Sequence, residues 1–467
     1  MNSRPTFDLS RRKFIGSCCA AVGTTGILSA LSQLRLIGAI ASPSSGLITS
    51  HATDYKALVC LFLQGGNDAN NIIIPNDTTG YASYAASRGA LALPQAGLLS
   101  LAPRTSDGRG FALHPSMTDF HSLFGQGKAA LIANTGTLVV PTSKAQYSAQ
   151  SVPLPPQLFS HSDQQVEWQS SVPDKPFSTG WGGRLADLTD AFNSNHSISM
   201  SISLAGQNSF QVGRSVAQYS VGTSGVVSLS GTSASTTSTS GIRTQAQNDL
   251  LAAQNSSLFK TAFAGVTRDA IADSALLAQY VGASAPIPFT TAFPTTSLGQ
   301  QLKMIARLVA TAPSLGLKRQ IFFARVGGWD LHDNQLGAHA TLLADLSTSM
   351  KAFYDSTVEL GVGNQVTTFT ASDFGRTYNT NGDGSDHGWG SHHLIVGGAV
   401  KGNDIFGRMP NLTINGPDDT GRGRWIPTTS VDEYSATLAS WFGVSATDLP
   451  IVLPNIGRFA QPNLGFL

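Results

Sequence analysis

The run Ala57-Leu-Val-Cys-Leu-Phe-Leu63, followed by Gln64-Gly-Gly-Asn-Asp68, decides the fold class of this chain. Seven consecutive apolar residues that stop at a glycine pair are typical of a strand buried on both faces of a parallel sheet. Four other short runs have the same character, and they cover residues 129–133, 320–326, 365–370 and 393–398. The runs predict one mostly parallel sheet.

Patterns typical of helices alternate with these strands. Residues 297–312, 337–359 and 431–442 carry apolar side chains at three- and four-residue spacing, which gathers them on one side of a helix. Strands that alternate with helices predict a doubly wound α/β fold with helices on both faces of the sheet. Such folds bind ligands beyond the carboxyl ends of their strands, so we expect any site to lie there.

The first 41 residues have the form of an export signal. Arg11-Arg12 precedes an uncharged stretch over residues 14–34, and Ala39-Ile40-Ala41 supplies the small residues of a cleavage site. The arginine pair is typical of the twin-arginine route, so that translocase is the expected partner during export. A membrane anchor is disfavoured, because Gly, Ser and Thr interrupt the apolar stretch.

We therefore expect a signal peptide over residues 1–41, a linker over 42–56 and an α/β domain over 57–467, located in the periplasm or outside the cell. Without the signal, the chain has 24 basic and 27 acidic residues, which excludes nucleic acid and anionic membranes as partners by bulk charge. We expect no stable membrane span in this mature chain. It keeps only Cys60, so it cannot form an internal disulfide. Residues 218–244 are rich in Ser and Thr and predict an exposed loop or hairpin.

Carboxylates follow three of the predicted strands: Asp68, Asp330 and Asp373. Because the carboxyl ends of parallel strands meet at one edge of the sheet, these side chains are candidates for a common site. Each also has a simpler explanation. Asp68 could cap a helix, Asp330 could stabilise a turn, and Asp373 could form a salt bridge with Arg376.

Histidines accompany these acids. His332 follows Asp330 by two residues, which places both side chains on one side of an extended segment. His387 precedes the last predicted strand, and His392 lies beside it. Carboxylates and imidazoles gathered at strand ends are typical of divalent metal sites. We therefore predict one or two divalent ions, with Zn, Mg, Mn and Ca not distinguished.

A second group of polar residues surrounds a predicted helix start. Ser162 or Asp163 has the character of a helix N-cap, which places the Ser160 hydroxyl and the His161 ring just before the helix. A helix N-terminus stabilises anions, and a hydroxyl there can act as a nucleophile when a metal activates it. Capping without chemistry is the alternative.

Six segments together resemble the bacterial domain-of-unknown-function 1501 family. They are residues 61–71, 158–168, 180–184, 328–335, 372–377 and 386–388. In family order they span residues 57 to about 410, which is nearly the whole mature chain. That family is similar to a distant branch of the alkaline phosphatase and sulfatase superfamily. The resemblance implies a doubly wound α/β fold, two divalent metals, and a nucleophile at a helix start.

The resemblance also implies roles for single residues. Ser160 falls at the position of the nucleophile, and the residues in metal-ligand positions are Asp68, Asp330, His332, Asp373 and His387. The chain departs from the superfamily pattern in two ways. Asp330 and His332 are two residues apart instead of four, and Phe374 stands where a histidine usually follows the acid. Either one metal site is therefore incomplete, or His392 or His393 replaces that ligand.

These features predict a metal-dependent hydrolase of phosphate or sulfate esters, acting on a small or polymer-borne anionic substrate. In this reading Ser160 attacks, His161 positions the leaving group or a water, and Arg184 or Arg376 holds the non-bridging oxygens. The alternative is a non-catalytic envelope or secreted protein that has kept the fold, with a degenerate or purely structural metal site.

Overall fold

A computed structural model describes residues 53–226, 231–253 and 257–467. The predicted signal peptide and residues 42–52 of the linker lie outside the described residues. The strands are β1 (Lys56–Leu63), β2 (Ile73–Pro75), β3 (Leu99–Ser100), β4 (Phe111–Leu113), β5 (Ala129–Gly136), β6 (Ser201–Ser203), β7 (Tyr219–Ser220), β8 (Arg319–Val326), β9 (Val366–Ser372), β10 (Ser391–Gly397), β11 (Ile405–Phe406) and β12 (Thr429–Ser430).

The α-helices lie between and after these strands. They are α1 (Thr78–Arg88), α2 (Thr118–Gly125), α3 (Lys144–Ala149), α4 (His161–Ser170), α5 (Trp181–Thr189), α6 (Thr239–Ala252), α7 (Leu258–Val281), α8 (Ser297–Thr311), α9 (Gln335–Glu359), α10 (Val431–Phe442) and α11 (Leu449–Val452). Among the described residues, no helix has the length and apolar character needed to cross a membrane.

One large sheet organises the chain, with the strand order β11-β5-β10-β9-β1-β8-β6-β7, and β12 also pairs with β5. Every pairing in it is parallel except those of β10, which runs antiparallel to both β5 and β9. A small antiparallel sheet, β2-β4-β3, lies apart from it. The predicted mostly parallel sheet is confirmed.

The central strand β1 shows why the run at residue 57 decides the fold. Alternate side chains of a strand point to opposite faces. Val59 and Leu61 enter an apolar core that includes residues of α8 and α9, whereas Leu58 and Phe62 enter a second core with residues of α5 and α10. Both faces of the sheet are covered by helices, which confirms the doubly wound α/β fold.

The register of β1 aligns the carboxyl ends of the central strands. Leu63 is paired with Val326 of β8 and with Ser372 of β9. The loops that follow these strands therefore leave the sheet at one level. Because β10 is antiparallel, the segment that precedes it reaches the same edge, and it carries His387 there.

Two sequence predictions differ in detail from the structure. Helix α4 begins at His161 with Ser160 as its N-cap, two to three residues earlier than predicted. The Ser/Thr-rich segment contributes the edge strand β7 and the start of α6, whose N-cap Ser238 accepts a hydrogen bond from the Gly241 amide. Residues 227–230 of this segment lie outside the described residues.

The buried position of β1 predicts a large stability cost for truncation there. Leu58→Ala removes a fully buried side chain, and we expect it to lower the free energy of unfolding by about 2–5 kcal/mol. Denaturant titration followed by circular dichroism measures this. Leu250→Ala is the control, since Leu250 is 73% exposed, and it should change the value by less than about 0.5 kcal/mol. Equal effects of the two variants would contradict the assigned core.

Candidate metal centre

The loop after β1 packs tightly against the loops that carry Asp330 and Phe374 at this edge of the sheet. Gly65 and Gly66 have positive φ angles of 124° and 84°, which disfavour residues with a side chain. A Cβ atom on Gly65 would lie 2.5 Å from the Asp330 backbone nitrogen, and one on Gly66 would lie 2.5 Å from the Phe374 ring. The glycine pair therefore lets three loops pack against one another.

Arg376 holds these loops together. Its guanidinium is completely buried and donates to the carbonyl oxygens of Gly65, Gly66, Trp329 and Ser385, at 2.8–3.1 Å. It also forms an ion pair with Asp330. The side chain that the sequence suggested as an oxyanion clamp is thus committed to backbone carbonyls and to Asp330.

Asp330 lies at the centre of three imidazoles. Its Oδ1 is 3.0 Å from His332 Nε2 and 3.3 Å from His387 Nε2, while its Oδ2 is 3.3 Å from His161 Nε2. The Nε2 atoms of His332 and His387 are themselves 3.1 Å apart. The Asp330 side chain is 45% exposed, so one side of the group is open to a ligand.

Hydrogen bonds to the opposite ring nitrogens orient two of these imidazoles. His387 Nδ1 lies 2.7 Å from the Phe159 carbonyl oxygen, and His161 Nδ1 lies 2.7 Å from Asp373 Oδ2. Because a carbonyl or a carboxylate only accepts, each Nδ1 carries the proton that it donates. In the neutral rings, both Nε2 lone pairs therefore face Asp330.

Asp373 is a buried orienting group. Its Oδ1 accepts from the Gly65 amide at 3.1 Å, and its Oδ2 accepts from the Gln165 amide group at 2.8 Å as well as from His161. A carboxylate that bonds the far nitrogen of a metal-ligating histidine fixes the ring and raises its basicity. The structure places Asp373 behind His161 instead of directly in the group around Asp330.

The pKa shifts follow from these contacts. The hydrogen bond to Asp373 raises the pKa of His161, against the effect of its partial burial. Burial lowers the pKa of His387, and the nearby charge of Arg376 adds to that effect. Partial burial acts to raise the pKa of Asp330, but the hydrogen bond and charge of Arg376 bring it below the usual value.

The donor set fits a divalent cation. One ligand atom each from His161, Asp330 and His387 lie within 4.8 Å of one another. His161 Nε2 is buried and has no hydrogen-bond partner among the described residues, although Asp330 is close. A catalytic zinc site typically has such ligands, two imidazole lone pairs and a carboxylate, and it leaves one side open. Within the described ranges no other such group of histidines and acids is found.

Phe374 closes one side of this group. Its ring centroid is 4.8 Å from that of His161 and 4.6 Å from that of His387. An apolar ring therefore packs against both imidazoles at the position where the superfamily pattern suggested a ligand. His392 does not replace that ligand. It lies buried on β10, its Nδ1 accepts from the Asn134 amide at 2.9 Å, and burial lowers its pKa to about 4.

Asp68 does not face the group around Asp330. Its buried carboxylate forms an ion pair with Arg88 and accepts hydrogen bonds from Gln335 and Asn70. Arg88 is itself completely buried and donates to the carbonyl oxygens of residues 377 and 378. The carboxylate therefore joins helix α1 to the loops. Asp68 is not available as a metal ligand in this arrangement, so one ligand expected for a second metal ion is missing.

Arg184 is also committed elsewhere. On helix α5, its guanidinium donates to the carbonyl oxygens of Ser170, Thr179 and Val452 at 2.6–2.7 Å. Within the described part of the chain, none of its hydrogen bonds reaches the residues around Asp330. Burial lowers its pKa to about 10, and its bonds connect three segments of the second core.

Ser160 lies between two residues of the centre, His161 and Phe159. Its hydroxyl donates to Asp163 Oδ2 at 2.6 Å and lies 3.1 Å from the Ser162 hydroxyl. It does not cap α4 through its side chain. The amides at the start of this ten-residue helix thus remain available beside the centre.

Sequence reasoning found Asp330, His332 and His387 together, but it missed several partners. No sequence pattern connects Gln165 of helix α4 with Asp373, and the carbonyl of Phe159 has no signature in a sequence. Arg88 lies in an ordinary helical pattern, so nothing marked it as the partner of Asp68. The motif 328–335 contains Gln335, and its amide side chain is the one indication in the sequence of a partner for Asp68.

The mostly parallel sheet, covered by helices on both faces, makes this chain an α/β protein. A histidine–carboxylate group at the carboxyl edge of that sheet is its candidate metal centre. The chain belongs to the family described as "Protein of unknown function (DUF1501)", whose family model matches residues 55–420. This confirms the family resemblance seen in the motifs. No curated protein matches the chain.

Among solved structures, the chain is similar to the PsFucS1 sulfatase from Pseudoalteromonas sp., with 10% identity and a TM-score of 0.35 over 85% of this chain and 69% of that one. It is also similar to the lipoteichoic acid synthase LtaP from Listeria monocytogenes, with 8% identity and a TM-score of 0.34 over 89% and 78%. Ps i-CgsB in complex with k-i-k-neocarrahexaose gives 8% and 0.33 over 87% and 77%.

The position of Asp373 predicts an effect on metal affinity. Asp373→Asn removes the carboxylate that orients His161, and we expect Zn²⁺ to bind about 10- to 100-fold more weakly. Titration calorimetry on the full-length protein measures this. Asp404→Asn is the control, because Asp404 is a buried acid that bonds Thr105. Unchanged zinc affinity in Asp373→Asn would contradict the orienting role.

Glu167 predicts a pH dependence of stability that is separate from the centre. Burial raises the pKa of this helix α4 carboxyl to about 8, so the folded protein holds a proton that the unfolded chain releases above about pH 4.5. Its stabilising contribution is complete below that pH and is lost as the pH rises towards 8.

Glu167→Gln does not titrate. Relative to the natural protein, the variant should therefore gain stability between pH 5 and 8, by up to about 1.4 kcal/mol per pH unit. Denaturant unfolding of both proteins at pH 5, 6.5 and 8 measures the difference. A difference that stays constant over this range would contradict the raised pKa.

Proposed function

We propose that this protein is an exported, metal-dependent hydrolase of phosphate or sulfate esters. The observation that carries the proposal is the convergence of His161, Asp330 and His387, whose ligand atoms lie within 4.8 Å of one another. The two imidazoles are oriented through their Nδ1 atoms. A preorganised donor set with an open side is more typical of a catalytic than of a structural metal site.

The residues of the centre have distinct tasks in this proposal. His161, Asp330 and His387 hold the ion, and His332 lies beside them as a further ligand or as a proton carrier. Asp373 and the Phe159 carbonyl keep the two oriented rings in place. A bound divalent ion supplies Lewis-acid stabilisation of the ester oxygens.

Ser160 is the proposed nucleophile. Its Oγ forms the new bond to phosphorus or sulfur, the bond to the leaving oxygen breaks, and the Oγ proton passes to Asp163, which already accepts a hydrogen bond from it at 2.6 Å. The leaving oxygen departs with both bonding electrons. Water then attacks phosphorus or sulfur, the bond to Oγ breaks, and a proton from the water returns to Oγ as phosphate or sulfate is released. The amides and the dipole at the start of α4 stabilise the anionic group.

The export part of the proposal is supported by Arg11-Arg12 and the uncharged segment that follows. We propose that the twin-arginine translocase carries the folded protein to the periplasm or out of the cell. Its substrate there is an anionic ester, either a small molecule or a group on a polymer.

Metal analysis combined with turnover tests the proposal. We expect the purified protein to bind a divalent ion and to hydrolyse an aryl phosphate or an aryl sulfate. Asp330→Ala should lose both properties, because it removes the central ligand. Asp68→Ala should keep the metal but lower the free energy of unfolding by about 3–5 kcal/mol, since it leaves Arg88 buried without its partner.

The outcome that would contradict the proposal is a metal-free protein that is inert on both ester classes. Equal metal content in Asp330→Ala and in the natural protein would contradict the assigned ligands. Ser160→Ala gives an independent check, because it should abolish turnover without changing metal content.

A non-catalytic exported protein with a structural metal is the second candidate. It is favoured by the commitment of Arg376 to backbone carbonyls and by the Phe374 ring beside the imidazoles. In that case the protein binds a metal, chelation lowers its melting temperature, and neither aryl ester is hydrolysed.

A further inference from the structure

The loop over residues 419–425 is fixed by one buried carboxylate. Asp419 is completely buried, and its Oδ1 accepts from the backbone amides of Gly421, Gly423 and Arg424 at 2.7, 2.8 and 3.1 Å. Its Oδ2 accepts from the Asn415 amide at 2.8 Å. Four charge-assisted bonds to one side chain hold the loop in a single shape.

This loop carries Arg424 to the candidate metal centre. The Arg424 Nε atom donates to the His387 carbonyl oxygen at 2.8 Å. The guanidinium carbon lies 4.6 Å from the centre of the Phe159 ring, over its face. Phe159 in turn accepts the His387 Nδ1 hydrogen bond and directly precedes Ser160. Arg424 is thus anchored on His387, a proposed metal ligand, and on Phe159, the residue before the proposed nucleophile.

Arg424 differs from the other arginines near the site in having free donors. Arg88 and Arg376 are fully buried and are committed to carboxylates and carbonyl oxygens. The neighbouring Arg422 is paired with Asp386. Arg424 is half-buried, and its two Nη groups have no hydrogen-bond or ion-pair partner within residues 53–226, 231–253 and 257–467.

We propose that Arg424 is the residue that binds the anionic oxygens of the substrate. The inference rests on the proposed function and deepens it, since it assigns the oxyanion clamp that Arg184 and Arg376 cannot supply. A planar guanidinium presents two parallel N–H groups that match two oxygens of a phosphate or a sulfate. The bond to His387 and the stacking on Phe159 fix the fork before the anion arrives, which lowers the entropic cost of binding.

The test measures anion binding directly, on full-length protein loaded with Zn²⁺. Inorganic phosphate and inorganic sulfate are titrated separately into the natural protein and into Arg424→Ala, Arg424→Lys and Arg243→Ala. Arg243 is an exposed arginine on α6 and serves as the matched control. Zinc content is determined for every sample, so that the state of the centre is known independently of turnover.

We expect Arg424→Ala to weaken binding of the preferred anion by about tenfold to a hundredfold, the effect of losing hydrogen bonds to a charged group. Arg424→Lys should lie between, because it keeps the charge but loses the planar fork. Arg243→Ala should match the natural protein, and zinc content should be equal in all four. The two titrations identify which anion the centre prefers.

Four outcomes would overturn the proposal: turnover in Arg424→Ala equal to that of the natural protein, binding in Arg424→Ala within twofold of the natural protein, binding of neither anion by the natural protein, or a parallel loss of zinc from Arg424→Ala. The last would make Arg424 a brace for His387. Failure of the proposed hydrolysis can be distinguished from failure of the clamp. Anion binding that depends on Arg424, in a protein without turnover, would contradict only the proposed catalysis. Unchanged turnover in Arg424→Ala would contradict only the role of Arg424 in anion binding.

Discussion

The buried guanidinium of Arg376 is the interaction on which the edge of the sheet depends. It donates to backbone carbonyls in the loop after β1, in the loop after β8 and in the segment before β10, and it pairs with Asp330. A buried cation needs this many partners, because its desolvation is costly unless every donor is satisfied. The same requirement brings the three segments to one point and fixes Asp330 between the imidazoles.

The rest of the centre follows from that fixed carboxylate. Asp330 remains partly exposed, whereas the groups that orient its neighbours, Asp373 and the Phe159 carbonyl, lie on the far side of the rings. The lone pairs therefore converge from the protein side and leave solvent access opposite. Phe374 contributes an apolar wall to this arrangement. Rigid loops, oriented rings and one open side together leave the candidate metal centre accessible to a ligand.

Much of this arrangement could be predicted from the sequence, because it depends on local patterns. The strand run at residue 57 and the helices near 297, 337 and 431 follow from hydrophobic periodicity, and strand ends in a parallel sheet share an edge. The division of labour among charged residues could not be predicted. Whether Asp68 meets a metal or Arg88 depends on where helix α1 packs. Arg376 and Arg184 donate to carbonyl oxygens that no side-chain pattern reveals. The packing of the loops and helices determines which partner each charged residue meets, and the residue types alone do not.

The most direct measurement is anomalous X-ray diffraction at the zinc edge, on crystals of the full-length protein grown with Zn²⁺. We predict a zinc peak bound by His161 Nε2, Asp330 and His387 Nε2, with Asp373 still hydrogen-bonded to His161 and Asp68 still paired with Arg88. A zinc ion bound instead by Asp68 or directly by Asp373, or no zinc between His161 and His387 at saturating concentration, would contradict the account.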